Sequence, residues 1–317
     1  MNYGSLISGT FWLTWRHRFL WFFGFFAGGV TSFNFNVGSG GSGNDIGGPP
    51  PAWAEDLIRW ISDNLVLFLS VVISVVILIV LVFVVLSMLS QGGLVDSVAA
   101  LHRGETRSFL PTWRAGTSYF WRVLGLKALL FVISVGLLLA IIAPVALAGV
   151  AVFSSTNSVG LIVLFVVLAV LLVIALLILV FVPLRIIGQL ALRELVLGEE
   201  HVGGSIREGF DLFRRNLGRS LLLWIILIVL LFAARVLLLI VTIILGLVVF
   251  VPVVALLSAG FTAVAIVVGV VGALVFLIPF VVISGAIGTF GSSYWTLAYL
   301  QLTTTPEGPT PPPGQST

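Results

Sequence analysis

The chain alternates between long runs without charge and short charged stretches. No Asp, Glu, Lys or Arg occurs over 64–95, and 65–89 is dense in Val, Leu and Ile. About 20 apolar residues cross a bilayer as a helix, so this is one predicted span. A second charge-free stretch covers 128–184. It is too long for one crossing, and the polar patch Ser154, Ser155, Thr156, Asn157, Ser158 divides it in two. Over 220–302 the only charge is Arg235. Turn signals at Pro252 and around Ser258 and Gly260 separate two further spans, near 220–250 and 261–300. A third short span after Gly285 is an alternative. These runs lack the period-two alternation of barrel strands, which leaves helices as the structure that satisfies the backbone in lipid. Pro144, Pro183, Pro252 and Pro279 predict kinks or span ends.

The first apolar segment is less regular. Residues 19–30 read FLWFFGFFAGGV. Together with 31–37 they make either a thin aromatic span or a segment that enters the membrane and returns. Residues 38–51 (GSGGSGNDIGGPPP) form a flexible linker ending in prolines. The end from Thr303 is a Pro/Thr-rich disordered tail. No ordinary signal peptide is evident, since Arg16 and Arg18 fall between apolar stretches.

Composition sharpens this picture. Of 317 residues, 60% are hydrophobic and 9% charged, with a mean hydropathy of +1.24. A soluble domain carries about 25% charged residues, so a soluble enzyme, a soluble nucleic-acid binder and a disordered chain are excluded as the main body. There is no Cys, which excludes disulfides, thiolate metal sites and cysteine nucleophiles. The formal net charge of +3 is carried almost wholly by Arg. Beside apolar spans, this points to anionic headgroups rather than nucleic acid. The Arg bias, with abundant Ala, Gly and Val, suggests a GC-rich bacterial genome.

Loop charge sets the expected orientation. The 91–127 segment carries Arg103, Arg107, Arg114, Arg122 and Lys127 against Asp96 and Glu105. The 185–219 segment carries Arg185, Arg193, Arg207, Arg214, Arg215 and Arg219. By contrast, 31–63 holds Asp45, Glu55, Asp56 and Asp63 against Arg59 alone. Both Arg-rich segments then face the cytoplasm. A crossing first segment places the acidic linker outside and gives six spans with both termini inside. The expected fold is an all-α polytopic transmembrane bundle in the plasma membrane. Residues 1–302 form its single domain, 31–63 a Gly/Pro-rich non-cytoplasmic loop and 303–317 the cytoplasmic tail.

Two segments align without gaps. Residues 114–125 read RAGTSYFWRVLG and residues 207–218 read REGFDLFRRNLG. Their common pattern, RxGxxxFxRxLG, predicts a parallel internal repeat of an interfacial helix followed by a helical hairpin, with units near 114–192 and 207–302. A weaker third copy begins at Arg18. Inverted repeats are the commoner transporter signature.

The stretch LRELVLGEEHVGGSIREGFDLFRRNLGRSLLL at 192–223, with SSYWTLAYLQL at 292–302 and WRHRFLWFFGFFAG at 15–28, resembles the bacterial glycerophosphoryl diester phosphodiesterase membrane domain-like group. The resemblance covers most of the chain through interface-helix patterns rather than catalytic motifs. It implies a six-span membrane module without an activity of its own. His102, Arg103 and Gly104 repeat a triplet that opens the catalytic motif of such phosphodiesterases. Those enzymes need a TIM barrel of about 250 residues, and no soluble stretch of that size exists here, so the triplet reads as a surface loop.

Candidate chemistry is sparse, and no cofactor or metal site is expected. Arg235 stands out, because charge inside a span is costly. Counted from Ser220 it falls in the outer half of the membrane, with Asp63 the nearest plausible partner. Gln189 and Gln301 read as interfacial hydrogen-bonders, and Tyr294, Trp295 and Tyr299 as an aromatic belt. Gly285, Gly288 and Gly291 form a close-packing face. Glu194, Glu199, Glu200 and His201 match no strong metal motif, and His17 reads as interfacial. The expected function is a non-enzymatic membrane module that organises lipids or protein partners, or copies of itself. Its contact candidates are Arg114, Arg122, Arg207, Arg214, Arg215 and Arg219. The alternative is a pathway for a lipid-like or anionic solute using Arg235.

Overall fold

A computed structural model describes residues 2–29, 52–156 and 158–304. The described residues contain no strand. Helix α1 (Tyr3–Arg16) starts at Asn2, whose Oδ1 accepts the amides of Gly4 and Ser5. This satisfies donors that the first turn leaves orphaned. A short helix α2 (Leu20–Gly24) runs into a π-helical turn (Phe25–Gly29). Then come α3 (Ala52–Asp63), α4 (Leu65–His102), α5 (Phe109–Ser155), α6 (Val159–Leu197), α7 (Val202–Arg215), α8 (Leu217–Ser258) and α9 (Thr262–Thr304).

Five of these helices, α4, α5, α6, α8 and α9, are long and apolar enough to cross a membrane. The chain is thus an all-helical membrane protein. Spans appear where charge-free runs predict them, but the helices overrun them. The Arg-rich segments are mostly not loops. The connections shrink to 103–108, 198–201 and Asn216, and the charged residues extend α4, α5 and α6 by several turns. Helix α9 is continuous, so there is no separate short span after Gly285. Pro144, Pro183, Pro252 and Pro279 all lie inside helices rather than at their ends. Residues 52–63, expected as part of a loop, are helical. Trp53, Leu57, Trp60 and Ile61 recur there at helical spacing, apart from Glu55, Asp56 and Asp63. The linker 38–51 and the tail beyond Thr304 lie outside the described residues.

Two helix ends use the same device. Gly104 and Gly260 have φ of 84° and 83°, a conformation that costs glycine nothing. Each follows a capping residue, Arg103 or Ala259, and their amides donate back to Leu101 and Leu257. The triplet at 102–104 is therefore a helix terminus, and Gly104 is there for its backbone.

Packing is concentrated at one end. The most apolar windows of the five long helices are unburied, as expected of surfaces that meet lipid. The buried core lies at the end where α4 and α6 finish. One cluster joins Leu6, Ile186, Leu190, Phe213, Leu223, Tyr294 and Ala298. A second joins Val95, Val123, Leu126, Ala191, Leu192 and Leu195, and a third joins Leu13, Leu20, Phe23, Leu94 and Val98. Tyr294, Trp295 and Tyr299 belong to this core and form no aromatic belt. All three are buried. The Tyr294 hydroxyl donates to the Leu223 carbonyl at 3.1 Å, and the Tyr299 hydroxyl donates to the Glu194 carboxylate. Burial of a phenol demands such a partner. Exposed aromatics at this end come instead from Phe11, Trp12, Trp15 and Trp121.

Glycines set the tightest approaches. A Cβ on Gly116 would lie 2.4 Å from the Leu89 carbonyl, and one on Gly93 would lie 2.5 Å from the Thr112 carbonyl. This lets α4 and α5 cross in backbone contact, and the Ser97 and Thr112 hydroxyls share a buried hydrogen bond of 2.7 Å there. The N-terminal segment docks similarly. Gly24 and Gly28 meet Gly285 and Gly288 of α9, and the Thr289 hydroxyl donates to the Leu20 carbonyl at 2.9 Å. Of the expected close-packing face on α9, Gly285 and Gly288 meet the N-terminal segment, while Gly291 faces Leu231 of α8.

Candidate functional site: a cation layer at the packed end

Helix α7 places its side chains by a four-residue rhythm. Ser205, Gly209 and Phe213 are buried against the bundle. A Cβ on Gly209 would come within 2.8 Å of the Ala191 amide of α6. The same rhythm turns Arg207, Arg214 and Arg215 outward, and all three are exposed. Arg219, just past the Asn216 break, is exposed as well. In α5, Thr112 and Gly116 are buried, while Arg114 and Arg122 are exposed. The two RxGxxxFxRxLG segments therefore bury the same glycine and expose the same arginines. They differ in continuity, because the first runs unbroken into its long helix and the second breaks at Asn216.

The six arginines expected as contacts therefore all lie at the packed end, and all reach the surface. None has a carboxylate partner among the described residues. The ion pairs there are Arg103 with Glu105 at 2.9 Å, and Arg107 with Asp96 at 3.2 Å and Glu105 at 3.7 Å. Arg16 stacks over Trp12 at 4.7 Å and Arg18 over Trp21 at 6.0 Å. His17 lies between them. Partial burial and then the charge of Arg16 hold its imidazole below the ordinary pKa, so it stays neutral among these arginines at neutral pH.

A further set of cations lies inward from this surface. Arg193 is 1% exposed, the largest fully buried side chain described. Its Nη1 donates to the Gln189 carbonyl at 2.8 Å and to Gln189 Oε1 at 2.5 Å, and its Nη2 donates to the Ser292 carbonyl at 3.2 Å. Its Nε is buried without a hydrogen-bond partner. Glu194, its neighbour in sequence, is engaged by Tyr299. Lys127 of α5 is half-buried, next in sequence to Leu126, which packs with Ala191, Leu192 and Leu195 of α6. Sequence reasoning placed Arg193 among loop charges and missed its burial. A signal was available: Ile186 and Leu190 precede it at helical spacing.

Arg235 is exposed on α8. Counted back from the α8 end at Ser258, it lies about 35 Å along the axis, and Arg185 lies about 39 Å from the start of α6. Contacts tie α8 and α9 into register. Val249 and Val253 meet Gly272 and Gly269 near the unpacked end, and Leu231 and Leu223 meet Gly291 and Tyr294 near the packed end. Asp63 precedes α4 at the opposite end. Asp63 therefore lies at the other end of the bundle from the level of Arg235 and is not the nearby ion-pair partner expected for it. Among the described residues no three His, Asp or Glu side chains come together as metal ligands.

Residues 13–305 match the model of a family of unknown function, DUF7544. The chain belongs to that family. No curated protein and no solved structure matches it.

Proposed function

We propose that this DUF7544 protein is a non-enzymatic module of the plasma membrane that gathers anionic lipids at its cytoplasmic face. The observation that carries this reading is the outward display of Arg114, Arg122, Arg207, Arg214, Arg215 and Arg219 at one end of the bundle, without carboxylate partners among the described residues. Cations beside the inner leaflet are each worth about 1 kcal/mol toward anionic lipid. Parallel placement of Gly116 with Gly209, and of Thr112 with Ser205, supports a duplicated unit that presents its arginines twice.

One helix supports a position for the bilayer. The run of exposed apolar residues on α4 begins at Leu65 and ends near Val84, which is about 30 Å of helix and equals the hydrocarbon thickness. Arg185 then falls at the inner headgroups, where a long side chain snorkels at little cost, whereas Arg235 has exposed apolar neighbours on both sides, Val229 and Phe232 before it and Leu237 and Leu239 after it. The exposure of Arg235 on the surface of α8 supports a lipid contact rather than a solute pathway. The N-terminal segment packs on the inner part of α9, while α4 starts at the outer end. These positions of two described segments support a sixth crossing in the expected 19–37 segment, of which residues 30–37 lie outside the described residues, and with it cytoplasmic termini.

Neutralising the six arginines to glutamine is expected to lower the selectivity for spin-labelled phosphatidylglycerol over phosphatidylcholine in the lipid shell by at least about fivefold. The ratio follows from the motionally restricted fraction in reconstituted membranes. Unchanged selectivity would remove the basis for this function.

A further inference from the structure

We infer that helix α1 is an in-plane membrane anchor, with Phe11, Trp12 and Trp15 set into the headgroup–acyl boundary of the leaflet at the packed end. The anchor uses none of the six surface arginines proposed above to gather lipid. It serves whichever side of the membrane the packed end faces.

The polarity of α1 is inverted. Its face toward the bundle carries Leu6 and Leu13, but also Thr10 and Thr14, and all four are buried. The two threonine hydroxyls donate one turn back along the helix, to the Leu6 carbonyl at 2.7 Å and the Thr10 carbonyl at 2.8 Å. They therefore need no water. The opposite face carries Phe11, Trp12 and Trp15, which are 57%, 57% and 53% exposed. Spacing of one and four residues puts these three on one side of the helix, and Phe11 stacks on Trp15 with ring centroids 5.7 Å apart. A helix packed on a core in water turns its apolar stripe inward and its polar residues out. Large aromatics gathered on the outer face mark a surface that meets something other than water.

Continuity with the lipid-facing surface identifies the occupant as lipid. The Trp15 ring lies 5.4 Å from that of Trp21. Trp21 is fixed in turn, because its Nε1 donates to the Thr14 carbonyl at 2.9 Å and its own carbonyl abuts Gly285 of α9. The exposed large apolar side chains of α9 end at Val282, so Gly285 is about 5 Å further along the axis. Trp21, and Trp15 beside it, thus stand just below the hydrocarbon edge. The neighbouring Phe22 meets Phe26 at 5.1 Å, and Phe26 meets Phe83 of α4 at 5.6 Å. Phe83 sits where the exposed apolar run of α4 ends, which places the same edge independently. Charge agrees. No Asp or Glu occurs over 1–44, while Arg16 lies over Trp12 and Arg18 over Trp21. Aromatics on the inserted side with arginines at their border are the composition of an interfacial helix.

The test uses the full chain in vesicles of phosphatidylcholine and phosphatidylglycerol, with one spin label at a time. Ser8 is exposed, one turn before Phe11 and Trp12 on the same side of α1, so a label at S8C leaves all three aromatics in place. Collisions are compared for oxygen, which concentrates in the bilayer, and for a water-soluble nickel chelate. The S8C label is expected to favour oxygen, at a depth of about 5–10 Å. A label at R207C, on the exposed face of α7, is expected to favour the chelate. In S8C combined with F11S/W12S/W15S, the ratio of oxygen to chelate collisions is expected to fall at least about fivefold as the label leaves that boundary.

An S8C label as open to the chelate as the R207C label would place α1 in water and overturn the inference. A label shielded from both reagents would mean that protein covers this face, a second copy or another partner, and would overturn it as well. So would an unchanged ratio in the triple variant. The intact aromatic face is read first, so failure does not depend on the folding of that variant. Shell selectivity at the surface arginines is a separate measurement, and either reading can fail alone.

Discussion

Gly24→Val is expected to release the N-terminal segment from the bundle. A Cβ at this position would lie 2.1 Å from the Thr289 hydroxyl oxygen and 2.2 Å from the Gly285 carbonyl. The second of these is backbone and cannot rotate away. Gly288 faces the same seam, where a Cβ would be 2.0 Å from the Gly24 carbonyl. Overpacking usually costs about 1–3 kcal/mol, and a backbone clash on this scale belongs at the upper end. Separating the helices also breaks the bond from the Thr289 hydroxyl to the Leu20 carbonyl, and it exposes Leu20 and Phe23, which are wholly buried. Release should make Arg16 and Arg18 targets for trypsin under conditions where the wild type is cut at least about tenfold more slowly, since a 1.4 kcal/mol change in opening is tenfold in cleavage. Gly24→Val with wild-type protection at both arginines would show that the seam does not hold the segment.

Gly116→Val is expected to have the second large effect, at the α4–α5 crossing. Its Cβ would enter the Leu89 backbone from the carbonyl oxygen at 2.4 Å to the Cα at 3.5 Å. Relief requires moving one long helix off the other, which strains the shared hydrogen bond of Ser97 and Thr112. Loss of a buried pair of this kind adds about 1 kcal/mol to the steric cost. The thermal midpoint in detergent should drop by several degrees. Gly136→Val is a matched control, since a Cβ there meets nothing within 4 Å. Equal midpoints for the two variants would contradict the account of this crossing.

The spans were legible because lipid enforces one simple rule, and charge-free runs such as 65–89 obey it. Turns at Thr156 to Ser158 and around Gly260 were legible from polar and glycine signals. The length of the helices was not. Charge was taken as a marker of loops, yet Asp96, Arg114 and Arg193 sit inside α4, α5 and α6. Below a bilayer a helix continues as a soluble one does, and tertiary burial of Leu94, Val98, Leu190 and Leu195 outweighs the charge. Arg193 was misread for this reason. Tyr294 and Tyr299 were misread because aromatic residues near a span end fit an interfacial belt. Their hydroxyls instead reach Leu223 and Glu194, and those partners are distant in sequence. The six surface arginines could be found because an exposed face needs no tertiary knowledge. The contact of Arg193 with the Ser292 carbonyl depends on the α6–α9 register, which the sequence pattern does not contain.

The proposed lipid role requires the packed end of the bundle to face the cytoplasm and the first apolar segment to cross the membrane. The absence of cysteine makes single-cysteine variants unambiguous reporters. A membrane-impermeant maleimide applied to intact cells should label cysteines placed at Ser42, Ser158 and Ala259. Cysteines at Arg103 and Glu199 should react only after permeabilisation. Labelling of Arg103 and Glu199 from outside, or of Ser42 only from within, would contradict the orientation and with it the cytoplasmic cation layer.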